Sequence, residues 1–392
     1  MDLKFKNLFK MSVLSMTLNG AHPQLPKDWK WLIRFAMLHS LSTITFVLLI
    51  YNVIVYDTGD IMKACSDCVL VVVYSVVTFK YFIMVYYKKN LSMLIEWMDH
   101  EYECAKSLPV EDQEIVKQYA KKGQGAMWLW VVIAIGTGSL FSLKAFVLTS
   151  YYAITGEYIL VPVYDIVYPF LGDKQYTVGA YWFFVVWFVL FLFYNALMYI
   201  ANEPLGPIFM LHACGQLDII RNRVEKLYVN VSTSEQLQTK IKEVVIRLDN
   251  VYSFIELINT SFSTTYEFIL RATCFLLPIT VYLVVEGFKH GLVSLEFFNI
   301  IAGTIAICSC PCYYSELIMN RSECLRQAVY SCRWESHWTL NGRGVRSSII
   351  VLLTRLSRPV AINSVFLTLS LDTLANTFHD SYAIFNLMEA AW

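Results

Sequence analysis

The chain has 392 residues, of which 57% are hydrophobic and 16% charged, with 31 lysines and arginines matched by 31 aspartates and glutamates. Soluble domains carry about 25% charged residues, so an ordinary soluble fold is excluded. The zero net charge says little by itself, because the charges are segregated along the chain; no nucleic-acid partner is expected.

The first 30 residues carry five lysines and a short apolar run, Met11–Leu18, broken by Ser12, Ser15 and Thr17. No small-x-small cleavage site follows, which predicts an interfacial segment and not a cleaved signal. Apolar stretches then occupy 31–56, 68–87, 126–150, 179–202, 268–288, 297–319 and 360–388. Each is near the ~20 residues a helix needs to cross a bilayer. Trp29, Trp31, Trp128, Trp130, Tyr151, Tyr152, Tyr181 and Trp182 cluster at their ends, as interfacial aromatic belts do. The segment before the first stretch and the connections 88–125, 203–267 and 320–359 hold 24 lysines and arginines, whereas the intervening connections hold only Lys63, Lys174 and Lys289. Basic loops stay cytoplasmic. The expectation is therefore an all-α membrane protein of seven transmembrane helices, N-terminus inside and C-terminus outside, the reverse of a G-protein-coupled receptor.

The boundaries that follow are a cytoplasmic segment 1–30, transmembrane helices 1–4 over 31–202, cytoplasmic helices over 203–267, helices 5 and 6 over 268–319, a second cytoplasmic part over 320–359, and a last helix with the extracellular terminus over 360–392. Ile241, Val244, Val245, Leu248, Tyr252, Ile255 and Ile258 recur at helical spacing. Residues 208–228 read similarly, 321–334 continues the sixth span, and 347–357 leads into the seventh, with Gly342, Gly344 and Pro359 marking turns. Each apolar stripe needs a partner, so these extensions of helices 4–7 should pack into a cytoplasmic platform.

Within the spans, Arg34 and Arg271 lie near cytoplasmic ends and Lys144 lies in the outer half of the third span, all within reach of an interface by snorkelling; Lys80 is deeper. Cys308, Cys310 and Cys312 lack histidine partners and read as packing residues; Cys65 and Cys68, near the outer face, could pair. No metal and no cofactor is expected. The sequons at Asn90, Asn230, Asn259 and Asn320 all fall on the basic side, out of reach of glycosylation.

The last stretch is unlike the others. Every fourth residue gives Ser364, Thr368, Asp372, Asn376 and Asp380, opposite Val365, Phe366, Leu369, Leu374 and Phe378. A stripe with two carboxylates must face protein or water. It is either a buried central helix or the wall of a cation-favouring pore built from several copies.

Taken in order, several motifs make the chain similar to the insect odorant receptor family over nearly its whole length. Cys312-Tyr313-Tyr314-Ser315-Glu316-Leu317, with Ser322, Leu325, Ala328, Tyr330 and Trp334, resembles the end of the family's sixth span. Arg358-Pro359, Leu369-Ser370-Leu371-Asp372 and Ser381-Tyr382-x-x-Phe385 resemble its most diagnostic run, His212–Ile219 the segment after the fourth span, and Lys80 a basic residue common in the second. Arg247-Leu248 departs from an expected histidine, and Phe385–Glu389 is more polar than usual. The shared co-receptor Orco has a long cytoplasmic insertion that the connection 203–267 does not accommodate, which leaves a ligand-specific tuning subunit.

The resemblance implies an odorant-gated non-selective cation channel, a heterotetramer with Orco in the plasma membrane of a sensory dendrite, surrounded by lipid. It implies an intramembrane pocket for a small volatile odorant between the outer halves of helices 2–6. From side-chain type and orientation the expected walls are Val72, Tyr74, Phe141, Ser142, Ala145, Tyr181, Phe184, Tyr282, Phe298, Ile301 and Thr304. The last helix would line the pore through Ser364, Thr368, Asp372, Asn376 and Asp380, with Ile384, Phe385 and Met388 near its outer gate. A gustatory-type homotetrameric channel is the alternative, though Ser381-Tyr382 lacks that family's Gln-Phe. A transporter would need repeated halves, and an enzyme a nucleophile–base constellation; neither is visible.

Overall fold

In hydrocarbon every backbone N–H and C=O must be satisfied within its own segment, so long apolar runs fold as helices. The computed structural model describes residues 3–391 apart from 170, 173–176, 292–293, 333, 337–342 and 359. Lys174, Gly342 and Pro359 lie outside the described residues. Among the described residues twelve α-helices follow one another: α1 Phe5–Leu8, α2 Lys10–Asn19, α3 Trp29–Val55, α4 Ile61–Tyr86, α5 Lys88–Ala105, α6 Val110–Thr155, α7 Val178–Asn202, α8 Leu205–Glu225, α9 Ser234–Lys289, α10 Leu295–Tyr330, α11 Arg343–Arg355 and α12 Leu371–Ala391. Local chemistry sets several starts. The side chains of Asp28 and Asp60 accept the N–H of Trp31 (2.9 Å) and Lys63 (3.1 Å), the N-cap device that satisfies an orphan donor. Gly156, at φ 87, ends α6 in the left-handed region that favours glycine.

Among the described residues six helical stretches are long and apolar enough to cross a membrane: α3, α4, α6, α7 running into α8, α9 and α10. The 56-residue α9 extends roughly 84 Å, far more than the ~30 Å hydrocarbon core. Its first half, with α5, α8, α11, the start of α6 and the end of α10, forms a basal body. The apolar stripe read from the sequence is buried there within a single chain: Ile241, Val244, Leu248, Ile255 and Ile258 all lie in the core. Helix α8 is buried on every face from Leu205 to Gly215 and is the centre of the body between α6, α9 and α10. It approaches α6 so closely that a Cβ at Gly215 would lie 3.2 Å from the Tyr119 ring. Polar pairs pin the same body: Tyr119 donates to Asp218 (2.6 Å), Asn222 to Asp112 (2.8 Å), and Arg355 pairs with Asp249 (2.5 Å). His212 Nε2 is 2.8 Å from Glu101 Oε2, and Trp97 donates to the other carboxylate oxygen at 3.0 Å.

Two expectations change, and the pairing left open for Cys65 and Cys68 is not formed. Helix α2 does not stand apart as an interfacial segment: Val13 and Met16 are buried, and Asn19 reaches the Met198 sulfur of α7 at 3.2 Å. Cys65 and Cys68 are both free thiols on α4. The stretch 360–388 is not one helix. Residues 360–370 form a folded connection with a bridge between Asn363 and Thr368, and α12 begins only at Leu371. Asn363, Ser364 and Thr368 bond locally to backbone and to each other, which competes with a helix. Ser315 of α10 and Asn259 of α9 hold Ile362 and Asn363 by their N–H groups at 3.0 and 2.9 Å. Ser370 then accepts the N–H of Thr373 at 3.1 Å and caps α12.

Candidate functional site: an enclosed cavity and the helix beside it

Where α4, α6, α7, α9 and α10 meet, they enclose a cavity of about 80 Å³. Helix α4 contributes Leu70, Val73 and Tyr74; α6 contributes Trp130, Ile133, Thr137 and Phe141; α7 contributes Phe191, Asn195 and Tyr199. Leu276 of α9 and Asn299, Ile300, Thr304 and Ile307 of α10 complete the wall. Most of its polar groups are already engaged. Thr137 and Thr304 each donate to the carbonyl four residues back at 2.8 Å. Asn299 donates to Thr137 Oγ1 (2.5 Å), joining α10 to α6, and the Tyr74 hydroxyl lies 3.4 Å from that of Thr43. An apolar wall with a few placed polar groups suits a small neutral organic molecule.

Of the expected wall residues, Tyr74, Phe141 and Thr304 line this cavity. Ala145, Tyr181 and Tyr282 are buried beyond it, and Phe184 stacks on Tyr168 with ring centroids 3.7 Å apart. Val72, Ser142 and Ile301 are half-buried and Phe298 is exposed. Val72, Ser142, Phe298 and Ile301 neighbour cavity residues in sequence and lie on other faces of their helices, whereas Ala145, Tyr181, Phe184 and Tyr282 lie about one to three turns further out, and that displacement has a cause. The connection after α6 folds back over the bundle, burying Val163 and Ile166. Tyr164 donates to Asp67 at 2.7 Å, and Asn52 holds the N–H and C=O of Val167 at 2.9 and 3.1 Å. That connection fills the space where a shallower pocket was expected.

Trp130, Asn195 and Asn299 were missed. Trp130 was read as an interfacial aromatic, but it is buried, unlike Trp128, which is exposed. The two asparagines carried a usable signal, since polar residues inside apolar spans are costly and mark function.

Below the cavity, Lys80 pairs with Glu203, both side chains almost fully buried, and the Lys80 ammonium lies 5.9 Å from the centroid of the Tyr199 ring. At the other end the half-exposed Lys144 reaches Glu296, in the first turn of α10, at 2.5 Å.

Helix α12 packs against α9 and α10 through one face. Asp372, Asn376 and Asp380 are exposed on the other, while Thr377 and Ser381 are buried. Ser364 and Thr368 lie off the helix in the preceding connection, and Ser364 donates to Glu267 at 2.7 Å. Ile384 is half-buried, and Phe385 and Met388 lean on the core; Leu387, 71% exposed, continues the open row of Asn376 and Asp380.

Residues 60–382 match the family model described as 7tm Odorant receptor. Solved structures share the fold, two of them of one receptor. The insect olfactory receptor OR5 from Machilis hrabei in complex with eugenol has a TM-score of 0.76 at 13% identity, covering 99% of this chain and 97% of that one. A second structure of the same receptor gives 0.72 at 14%, covering 98% and 96%. No curated protein matches the chain in sequence.

Proposed function

Since this chain belongs to the 7tm odorant receptor family, we propose that it is a ligand-specific subunit of an odorant-gated, non-selective cation channel. A small volatile molecule binds in the cavity among α4, α6, α7, α9 and α10, and α12 lines the ion path. The subunit assembles with Orco as a heterotetramer in the plasma membrane, N-terminus and basal body in the cytoplasm, C-terminus outside. The observation that carries this reading is the pairing of an enclosed, largely apolar cavity with a last helix whose carboxylates stay uncovered in a lone chain. Two exposed carboxylates are expensive against lipid but favour cations in water, and one helix encloses a path only when copies surround an axis. The similar receptor that binds eugenol adds support for a small organic ligand.

The test is a panel of volatiles applied to cells expressing this chain with and without Orco, with epitope tags at both termini. Ligand-evoked cation currents that need both subunits, with the C-terminal tag labelled on intact cells, are expected. Labelling of the N-terminal tag instead would remove the topology and with it the channel.

A further inference from the structure

Two residues that line the cavity each carry a polar atom with no partner within the protein. Trp130, 1% exposed, presents an indole Nε1–H that meets no acceptor. Asn195, 9% exposed, donates through Nδ2 to the carbonyl of Phe191 at 2.8 Å and leaves Oδ1 without a donor. Because that carbonyl can only accept, the amide cannot be reversed, and the oxygen is the end left for a ligand. The two residues come from adjacent helices, α6 and α7, and both line the same cavity. A buried donor or acceptor left unmade is costly, and native interiors rarely tolerate it without a reason.

An indole nitrogen only donates and an amide oxygen only accepts. One ligand group completes both if it accepts from the first and donates to the second, which is what a hydroxyl does. A carbonyl or ether serves Trp130 alone, and a hydrocarbon serves neither. An amine would enter charged, which an apolar cavity opposes. Resting on the reading of this cavity as the odorant site, we infer that Trp130 Nε1–H and Asn195 Oδ1 form a hydroxyl-recognition pair that tunes the receptor to small neutral alcohols. The size is restrictive: the cavity is about 80 Å³, less than the ~150 Å³ that accommodates benzene in an engineered cavity. A six-carbon alcohol therefore enters as apolar wall side chains such as Leu70 and Ile307 turn aside.

The probes are n-hexanol, hexanal and n-hexane, applied to cells expressing this chain with Orco and to the purified complex in a thermal-shift assay. Sensitivity should fall in that order. Asn195→Leu, similar in volume, should raise the half-maximal hexanol concentration about tenfold, the factor that one lost hydrogen bond gives, and leave hexanal where it was. Trp130→Phe should raise both, and hexane should respond alike in all three proteins. If Trp130→Phe does not reach the surface, the hexanol-to-hexanal ratio of Asn195→Leu decides alone. Hexanol no better than hexane in the wild type, as when a buried water already serves both groups, overturns the pair, and so does hexanol sensitivity unmoved by Asn195→Leu. Stabilisation by hexanol that depends on Asn195, without any current, supports the pair and removes the channel. Currents indifferent to both variants remove the pair and leave the channel standing.

Discussion

Leu276 and Cys274 stand two residues apart on α9 and face opposite ways. Leu276 lines the cavity, while the Cys274 thiol points to the Thr377 carbonyl of α12 at 3.9 Å. One helix thus separates the proposed ligand cavity from the proposed pore wall. It is weakened at that level, because Pro278 has no N–H for the Cys274 carbonyl one turn below.

Pro278→Ala restores that bond and stiffens α9. Ligand-induced thermal stabilisation should persist while the maximal odorant current falls several-fold. Unchanged currents would mean that α9 does not bend in gating.

Lys80→Met leaves the Glu203 carboxylate buried without its cation and should cost about 3–5 kcal/mol. Replacing both, as Lys80→Met with Glu203→Leu, should recover much of that loss. Thermal unfolding of the purified single and double variants measures the difference.

The base allows a separate comparison. Leu248 and Ile255 are core residues of one protomer, so Leu248→Glu or Ile255→Glu buries an unpaired charge at several kcal/mol and should abolish folding. Ile350 and Val351 of α11 are exposed. Ile350→Glu and Val351→Glu should leave the protomer folded and reduce its co-purification with Orco, if that face meets another subunit.

The sequence made some of this legible. Helical spacing found the buried stripe from Ile241 to Ile258, and hydropathy found the six long helices. Periodicity reports which face of a helix is buried but not how deep along the axis a cavity lies. The depth here is set by Tyr164, Ile166 and Val167, in a connection with no periodic pattern, and so Ala145, Tyr181 and Phe184 do not line this cavity. The start of α12 was hidden for a related reason: Asn363 and Ser364 are drawn out of a helix by partners distant in sequence, Asn259 and Glu267.

Acid should loosen the base in a defined window. Burial pushes the Glu101 carboxyl up, but hydrogen bonds from His212 and Trp97, with the charges of His212 and Arg247, outweigh it and hold the group below its ordinary value. A depressed carboxylate contributes stability that is present above the unfolded value of about 4.3 and is lost as pH falls through the lower folded value. The unfolding temperature should be flat near neutrality and drop below that range, and Glu101→Gln should flatten the drop.

Ion selectivity and ligand sensitivity should separate. Asp380→Asn or Asp380→Lys changes charge on the open face of α12 and should alter permeability ratios, leaving the half-maximal odorant concentration nearly unmoved. Phe141→Ala enlarges the cavity wall and should shift odorant sensitivity without changing permeability. The reverse pattern would assign the pore elsewhere.

The connection ahead of α12 is clamped by Ser315 and Asn259, and the helix is capped by Ser370 directly after it. In mechanical terms α12 is a beam built in at its base and loaded from the side at Thr377. From Leu371 to Leu387 it runs about 24 Å, so a tilt of about 5° at the root displaces Leu387 by about 2 Å. Motion grows with distance from the clamp. The broadest excursion falls on the apolar tip, and the carboxylate of Asp372, beside the root, stays nearly still while the far end swings.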